Sequence, residues 1–482
     1  MPQDQKFSVI EAAEIHNQGQ NGMRTDWKAI VIAALVTFIA AVENTVLGMS
    51  EWAYMNEIDK EANAQFFGNA TALSKIFHAI AALFFAFWCF HSQSFRIPLI
   101  CGRLLAFFAC LLYLCVEMSE NGRRYIMSIC YVLFGIASSS SSILRAYVAA
   151  ISLENDRPQA YSAITAAIML SIIIGPLIQA CFTGIVYPGI EILPNVRFHI
   201  YSAPVWVAAS TNFISIAIIF FCLKELPKKA KSNMAREKSL LTLTGIKNRI
   251  ETISHLQLDW PTVILCWLMK IISNLNVTTL TTLTSLFYIN NYGWSRPTTV
   301  LSISLLMGAV GILSVTISIL YFFCNLGKII SQRFAFLIGM CIFATMYILA
   351  YPWTPISQHV APYQAADDLG CKTTEFSWCS YALAPSPWVL LVVIAMVMGI
   401  GIPLALVALD AIYSKCLGNI NQSVMQGAMI VAEDVVNIIG PIYTSAIFTS
   451  FGFGTLWAFN GVLVTLGTLL WILNIRKLKI YS

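Results

Sequence analysis

Charge is what this chain has least of. Only 11% of its 482 residues are Asp, Glu, Lys or Arg, where a soluble domain carries about 25%. So few charged groups cannot cover a chain of this length with a water-facing surface, and the mean hydropathy of +0.72 points the same way. No run reads GxxxxGK[ST], so nothing is built to cradle a nucleotide's phosphates and drive a pump. No His/Cys cluster has metal-ligand spacing, and no nucleophile sits in a convincing pattern with a base. These absences imply neither an enzyme nor a cofactor. The 13 Cys are scattered through apolar stretches, where cysteine behaves as a small hydrophobe. They form neither a disulfide framework nor a zinc framework. The first 27 residues are polar and lack the apolar core of a cleaved signal peptide, which leaves the first hydrophobic run as the insertion signal.

What the chain does have is apolar runs of membrane length. A helix needs about 20 apolar residues to cross the hydrocarbon. Twelve such spans are predicted: Ala29–Met49, Gly68–Phe90, Ile97–Met118, Tyr125–Ala149, Gln159–Val186, Tyr201–Leu223, Pro261–Ile289, Thr298–Cys324, Phe334–Tyr351, Trp388–Ile412, Val424–Ser450 and Gly454–Asn474. Lys and Arg set orientation. Lys224, Lys228, Lys229, Lys231, Arg236, Lys238, Lys247 and Arg249 fall between spans 6 and 7. Lys328 and Arg333 lie between spans 8 and 9, and Arg476, Lys477 and Lys479 follow span 12. With twelve spans all of these share one face with both termini, and that face is expected to be cytosolic. Glu51, Glu57, Asp59 and Glu61, with Asp367, Asp368 and Glu375, then lie on the other. The basic loop is short and also carries acidic residues, so it reads as a topology signal facing anionic lipid rather than nucleic acid.

The chain also repeats itself. Leu144-Arg145-Ala146 near the end of span 4 and Leu409-Asp410-Ala411 near the end of span 10 are 265 residues apart. So are the runs Ile173–Pro176 and Ile438–Pro441 in spans 5 and 11. Two anchors at one offset indicate a duplication. The expected organisation is an all-α polytopic membrane protein with twelve transmembrane helices in two pseudo-symmetric six-helix bundles. Its parts are a cytosolic tail at residues 1–28, bundles at 29–223 and 260–474, a basic cytosolic linker at 224–259, and a cytosolic tail at 475–482. Gly175-Pro176 and Gly440-Pro441 are expected to break helices 5 and 11, because proline cannot donate the helical hydrogen bond.

The duplication, the basic loop and the span-5 Gly-Pro resemble the major facilitator superfamily. Within it the chain is similar to the branch of major facilitator superfamily domain-containing protein 8. The matching runs are Leu144–Tyr147, Ile174–Pro176 with Gln179 and Cys181–Thr183, Tyr292–Trp294, Tyr413–Lys415 with Leu417-Gly418, Gly440-Pro441, and Cys371 with Trp378-Cys379. The resemblance implies a transporter of a small solute or ion in a lysosomal or endosomal membrane, or an organellar chloride conductance. It also implies a cavity lined by helices 1, 4, 7 and 10 and flanked by 5, 8 and 11. The chain departs from the superfamily pattern at His91–Arg96 between spans 2 and 3, and at Tyr131, where an arginine is usual.

Charges inside spans mark candidate sites, since each costs roughly 2.5–3.5 kcal/mol to insert. Glu43, Lys270, Glu433 and Asp434 are read either as a substrate or ion pathway or as pairs that hold helices together. Glu433 and Asp434 lie about 100° apart on a helix, so at most one faces the cavity. Arg145 and Asp410, at equivalent places in the two halves, are read as a cytosolic gate that pairs when that side closes; the alternative is that each reaches its own aqueous surface. Lys75 and His78 guide an anion, sense pH, or make a polar helix end. Ser138–Ser142 offers small residues for close packing, or a hydroxyl-lined passage. Cys371 and Cys379 are expected to form a disulfide in an oxidising lumen, with free thiols as the alternative. The glycosylation patterns at Asn69, Asn276 and Asn421 are poorly placed. Three functions follow: a carrier working as a monomer by alternating access, a passive anion pathway, or a membrane scaffold that kept the fold.

Overall fold

The computed structural model describes residues 25–59, 61–62, 64–119, 121–182, 184–185, 187–193, 196–225, 259–294, 296–354, 356–364, 370–373, 376–418 and 422–481. The basic run from Lys228 to Arg249, the acidic Asp367, Asp368 and Glu375, and Asn421 lie outside the described residues.

Among the described residues, eleven helices are long and apolar enough to cross a bilayer. A twelfth is folded into the last of them. Ser423–Asn474 has 52 residues; straight, at 1.5 Å per residue, it would be about 78 Å long, against roughly 30 Å of hydrocarbon. It is not straight. Gly452 has φ 81° and ψ −177°, a conformation essentially reserved for glycine. The Tyr443 hydroxyl donates to Asn460 Oδ1 at 3.0 Å, although 17 helical residues would hold the two about 25 Å apart. The chain therefore reverses at Gly452, against which the Trp378 ring packs. Span 11 precedes the turn and span 12 follows it.

The other spans are Trp27–Ile58 (span 1), Ala64–Ser92 (2), Arg96–Leu114 (3), Arg157–Cys181 (5), Ala203–Cys222 (6), Trp260–Tyr292 (7), Arg296–Phe323 (8) and Gln332–Leu349 (9). Spans 4 and 10 are composite. Span 4 runs Arg123–Ser138, tightens to a 3₁₀ turn at Ser139–Ser141, and resumes at Ser142–Ile151. Span 10 runs Pro387–Met396, widens to a π turn at Val397–Gly401, and resumes at Ile402–Leu417. Helices dominate because lipid offers no partner for a free backbone amide or carbonyl. Proline sits in the first turn of spans 6 and 10, where its missing N–H costs nothing.

Spans 1 and 7 run on beyond the expected ends at Met49 and Ile289. Two short antiparallel strand pairs also occupy loops: β1 (Ile190–Leu193) with β2 (Val196–Phe198), and β3 (Gln358–His359) with β4 (Leu383–Ala384). These loops lie at the loop face. The described chain ends gather at the opposite, terminal face, where Lys224 meets Asp26 and Tyr481 meets Asp259. Cys371 and Cys379 are joined as a disulfide in the loop-face segment that carries Trp378.

The two Gly-Pro pairs do not break their helices. Span 5 is continuous from Arg157 to Cys181, and Gly452 is the only non-helical residue within Ser423–Asn474. The glycines instead let helices touch. A Cβ on Gly175 would stand 2.6 Å from Thr45 Oγ1 of span 1, and one on Gly440 would stand 2.9 Å from Thr278 Cγ2 of span 7. The proline's lost hydrogen bond is tolerated within one turn, while the missing side chain sets the contact. The contact recurs between spans 1 and 5 and between spans 7 and 11, as a duplicated bundle requires.

Each half also holds a polar knot at a matching place. In the first, Arg103 of span 3 reaches Glu43 of span 1 and Asn212 of span 6, at 3.2 and 3.3 Å. In the second, Tyr347 of span 9 bonds Asn276 of span 7, and Asn460 of span 12 bonds Thr279 at 3.3 Å.

Candidate functional site

The halves meet along a seam that starts at the terminal face. There Trp27 packs edge-on against Phe322, Lys328 lies 3.7 Å from Asp156, and Arg157 donates to the Ser414 carbonyl at 2.9 Å. Deeper in the seam, four charged side chains from four spans close a ring. Arg145 Nη1 of span 4 lies 3.7 Å from Asp410 Oδ2 of span 10 and 3.2 Å from Glu433 Oε1 of span 11. Lys270 Nζ of span 7 lies 3.5 Å from Asp410 Oδ1 and 2.8 Å from the same Glu433 oxygen. Signs alternate around the ring and sum to zero. Lys270 is 2% exposed and Asp410 6%, so each charge depends on its partners rather than on water.

Local structure aims these groups. The 3₁₀ turn of span 4 lies one helical turn before Arg145, and the π turn of span 10 precedes Asp410. Both interrupt the regular ladder and re-register the helix that follows. Lys270 and Asn274 share a face of span 7, and Glu433 and Asn437 share one of span 11, by the four-residue spacing. Asn274 Nδ2 donates to both the Glu433 carbonyl and Asn437 Oδ1 at 3.1 Å, which fixes the register of the two helices under the ring.

Glu433 and Asp434 diverge as helical geometry demands. Glu433 turns to the ring, and Asp434 turns to span 2, where its Oδ2 lies 2.5 Å from His78 Nδ1. That contact too joins one half to the other. Lys75, one turn from His78, is exposed.

Glu43 is not part of the seam. Its pairing with Arg103, side chains 5% and 4% exposed, lies inside the first bundle; the expectation that it shares a pathway with Lys270 is corrected by the rotation of span 1, which points it at spans 3 and 6. Arg103 is a residue of this pair that the candidate set above lacks, and its signal in the sequence is a charge inside span 3. Ser139, Ser140 and Ser142 are buried, the first two donating to carbonyls of the preceding turn. Asn276 is fully buried in span 7, where no glycan fits.

At the loop face, Glu117 accepts from Tyr54 at 3.2 Å and lies 3.3 Å from His199 Nε2. The Tyr201 and Ser202 amides donate to His199 Nδ1, so that nitrogen is the acceptor and the ring proton lies on Nε2, facing Glu117. Glu51 lies beyond the apolar stretch Trp27–Leu47 of span 1. Burial pushes its carboxyl from the ordinary 4.5 up to about 7, and the charge of Lys75 offsets only part of this. A carboxyl whose pKa rises on folding binds its proton more tightly in the folded state. Its stabilising effect is therefore present below pH 4.5 and lost as pH rises through about 7. Glu51→Gln is expected to flatten that decline: thermal midpoints followed from pH 5 to 8 fall less steeply in the variant than in wild type.

The family model of the Major Facilitator Superfamily matches residues 33–363. Major facilitator superfamily domain-containing protein 8 of Xenopus laevis is 23% identical over 493 residues, spanning 95% of this chain and 92% of that protein. A bacterial homologue of the iron transporter ferroportin, in an outward-facing state, superimposes with a TM-score of 0.64 at 12% identity over 92% of this chain and 98% of that one. The proton:xylose symporter XylE gives 0.61 at 13% identity, over 92% and 94%. The human organic anion transporter MFSD10 (TETRAN) gives 0.59 at 12%, over 92% and 99%. With two bundles related by duplication and a charged seam between them, the chain belongs to the major facilitator superfamily.

Proposed function

We propose that this protein is a secondary transporter that moves a small solute or ion by alternating access across an endolysosomal membrane, its terminal face in the cytosol. The observation that carries the reading is the ring of Arg145, Asp410, Lys270 and Glu433. It ties both halves together and contains one charge from the first half and three from the second. A ring of that composition is broken by separating the bundles and remade by closing them, as rocking transport needs. The positive-inside distribution of Lys and Arg supports the cytosolic assignment, and the similarity to major facilitator superfamily domain-containing protein 8 supports the membrane. A passive anion conduit fits less well, because each cation of the ring is flanked by carboxylates.

Reciprocity is the test. In nanodiscs, Arg145→Ala is expected to raise hydrogen exchange in residues 151–161 and 320–330 at the terminal face. It is expected to lower exchange at the loop-face ends of spans 2 and 11, at residues 66–75 and 442–449. Exchange that rises at both faces, or at neither, excludes alternating access about this seam.

A further inference from the structure

We infer that the solute handled at the seam is a small zwitterion, with a carboxylate and an ammonium on one short frame; the inference rests on the alternating-access reading above.

The ring's charges divide unequally between the halves. The first half contributes Arg145 alone. The second contributes Lys270, Asp410 and Glu433, and all three stay together when the bundles part, because spans 7, 10 and 11 belong to one bundle. Lys270 keeps its contacts of 3.5 and 2.8 Å to the two carboxylates. Arg145 loses both of its own, at 3.7 and 3.2 Å. Opening therefore turns a neutral ring into two walls of opposite sign: a lone guanidinium on one side, and a three-charge cluster with one carboxylate in excess on the other.

The second contact across the seam adds to the same polarity or leaves it unchanged. His78 belongs to the first half and Asp434 to the second. A cationic imidazole would add to each wall one more charge of the sign it already has, a neutral imidazole donating from Nδ1 to the carboxylate would add a negative charge to the second wall only, and a protonated Asp434 would add to neither. In every case the first half is the positive wall and the second the negative one. Lys75, also of the first half, is a cation exposed to one side, and the Tyr131 phenol of span 4 adds no cation, so neither reverses this order.

A bound solute promotes opening only as far as it replaces what opening removes. A monoanion pairs with Arg145 but leaves the excess carboxylate bare. A monocation does the reverse, and a neutral polyol pairs with neither wall. A zwitterion pairs with both and keeps the four charges of the ring balanced. In the closed ring each guanidinium–carboxylate contact spans under 4 Å, so the charges that replace it need only a short frame between them, as in an α-amino acid or a dipeptide.

The test uses matched probes, each amino acid beside its deaminated acid and its decarboxylated amine: alanine, propionate and ethylamine as one set, and leucine, isocaproate and isoamylamine as another. Each is titrated against the purified full-length protein in nanodiscs, with the thermal midpoint as the readout of binding. In at least one set the zwitterion is expected to bind about tenfold or more tighter than its acid or its amine, the equivalent of one ion pair lost. Arg145→Ala is expected to abolish that preference, and Arg145→Lys to retain part of it, which separates loss of charge from loss of fold. An acid or amine that binds as tightly as its zwitterion in both sets, or zwitterions that leave folded protein unshifted in both sets, overturns the inference. Hydrogen exchange on the same samples keeps the two readings apart. Reciprocal exchange without a zwitterion preference removes only the inference. A zwitterion preference without reciprocal exchange removes the carrier reading and leaves the ligand class standing.

Discussion

Arg103→Leu is expected to cost about 3–5 kcal/mol, the usual result of stripping one partner from a buried ion pair. Globular domains hold only about 5–15 kcal/mol in all, so little monodisperse protein should survive extraction. The geometry makes the loss hard to absorb. Arg103 Nη1 serves both Glu43 and Asn212, and the side chains of the pair are only 4% and 5% exposed. Removing it leaves a carboxylate among spans 1, 3 and 6 with no cation and little water. The double variant Glu43→Leu with Arg103→Leu removes both charges and is expected to return to within about 1–2 kcal/mol of wild type, since an apolar pair of similar volume often replaces a buried salt bridge without loss. Thermal midpoints and size-exclusion yield of the three proteins measure this. In the double variant, Arg145→Ala should still produce the reciprocal change in exchange at the two faces, because the pair lies outside the seam. Should folded double variant lose it, Glu43 returns to the solute path.

The contrast between Glu43 and Lys270 shows what was legible in the sequence. Span number, the division into halves and the intramembrane charges all follow from hydropathy and from the offset of 265, because lipid forces helices and duplication repeats their landmarks. Arg145 and Asp410 were legible as a pair for the same reason: they occupy the same place in two copies. Partners within one bundle were not. Whether Glu43 faces span 5 or spans 3 and 6 depends on the rotation of span 1, and a few tens of degrees decide it. The Gly-Pro pairs misled through proline, whose effect was absorbed, while the adjoining glycine made the contact with Thr45 or Thr278. The real break, Gly452, lies between the two predicted spans that it separates. Its sequence, Phe451-Gly452-Phe453, carries no proline and no polar turn residue to announce it.

The ring changes what a charge swap should do. Arg145→Asp with Asp410→Arg restores opposite signs between those two positions. It also sets the new carboxylate at position 145 beside Glu433, and the new guanidinium at position 410 beside Lys270, where the native contacts are 3.2 and 3.5 Å. Two of four neighbours then repel, so the swapped pair is expected to remain nearly as impaired as either single variant, and that failure does not speak against the gate. Rescue should follow charge balance instead. Arg145→Ala leaves Lys270 facing two carboxylates, an excess of one negative charge at a closed seam, and should weaken closure by about 3–5 kcal/mol. Adding Glu433→Gln removes the excess and leaves Lys270 with Asp410, at 3.5 Å. The amide still fills the space between spans 7 and 11. This double variant is expected to recover most of the loss, read as hydrogen exchange in residues 151–161 and 320–330 falling back toward wild type. Adding Lys270→Ala to Arg145→Ala deepens the imbalance to two unpaired carboxylates and should make closure worse. If both second changes behave alike, the four residues act as separate helix-end charges rather than as one neutral unit, and the gate has to be sought nearer the terminal face, where Arg157 reaches Ser414 and Trp27 meets Phe322.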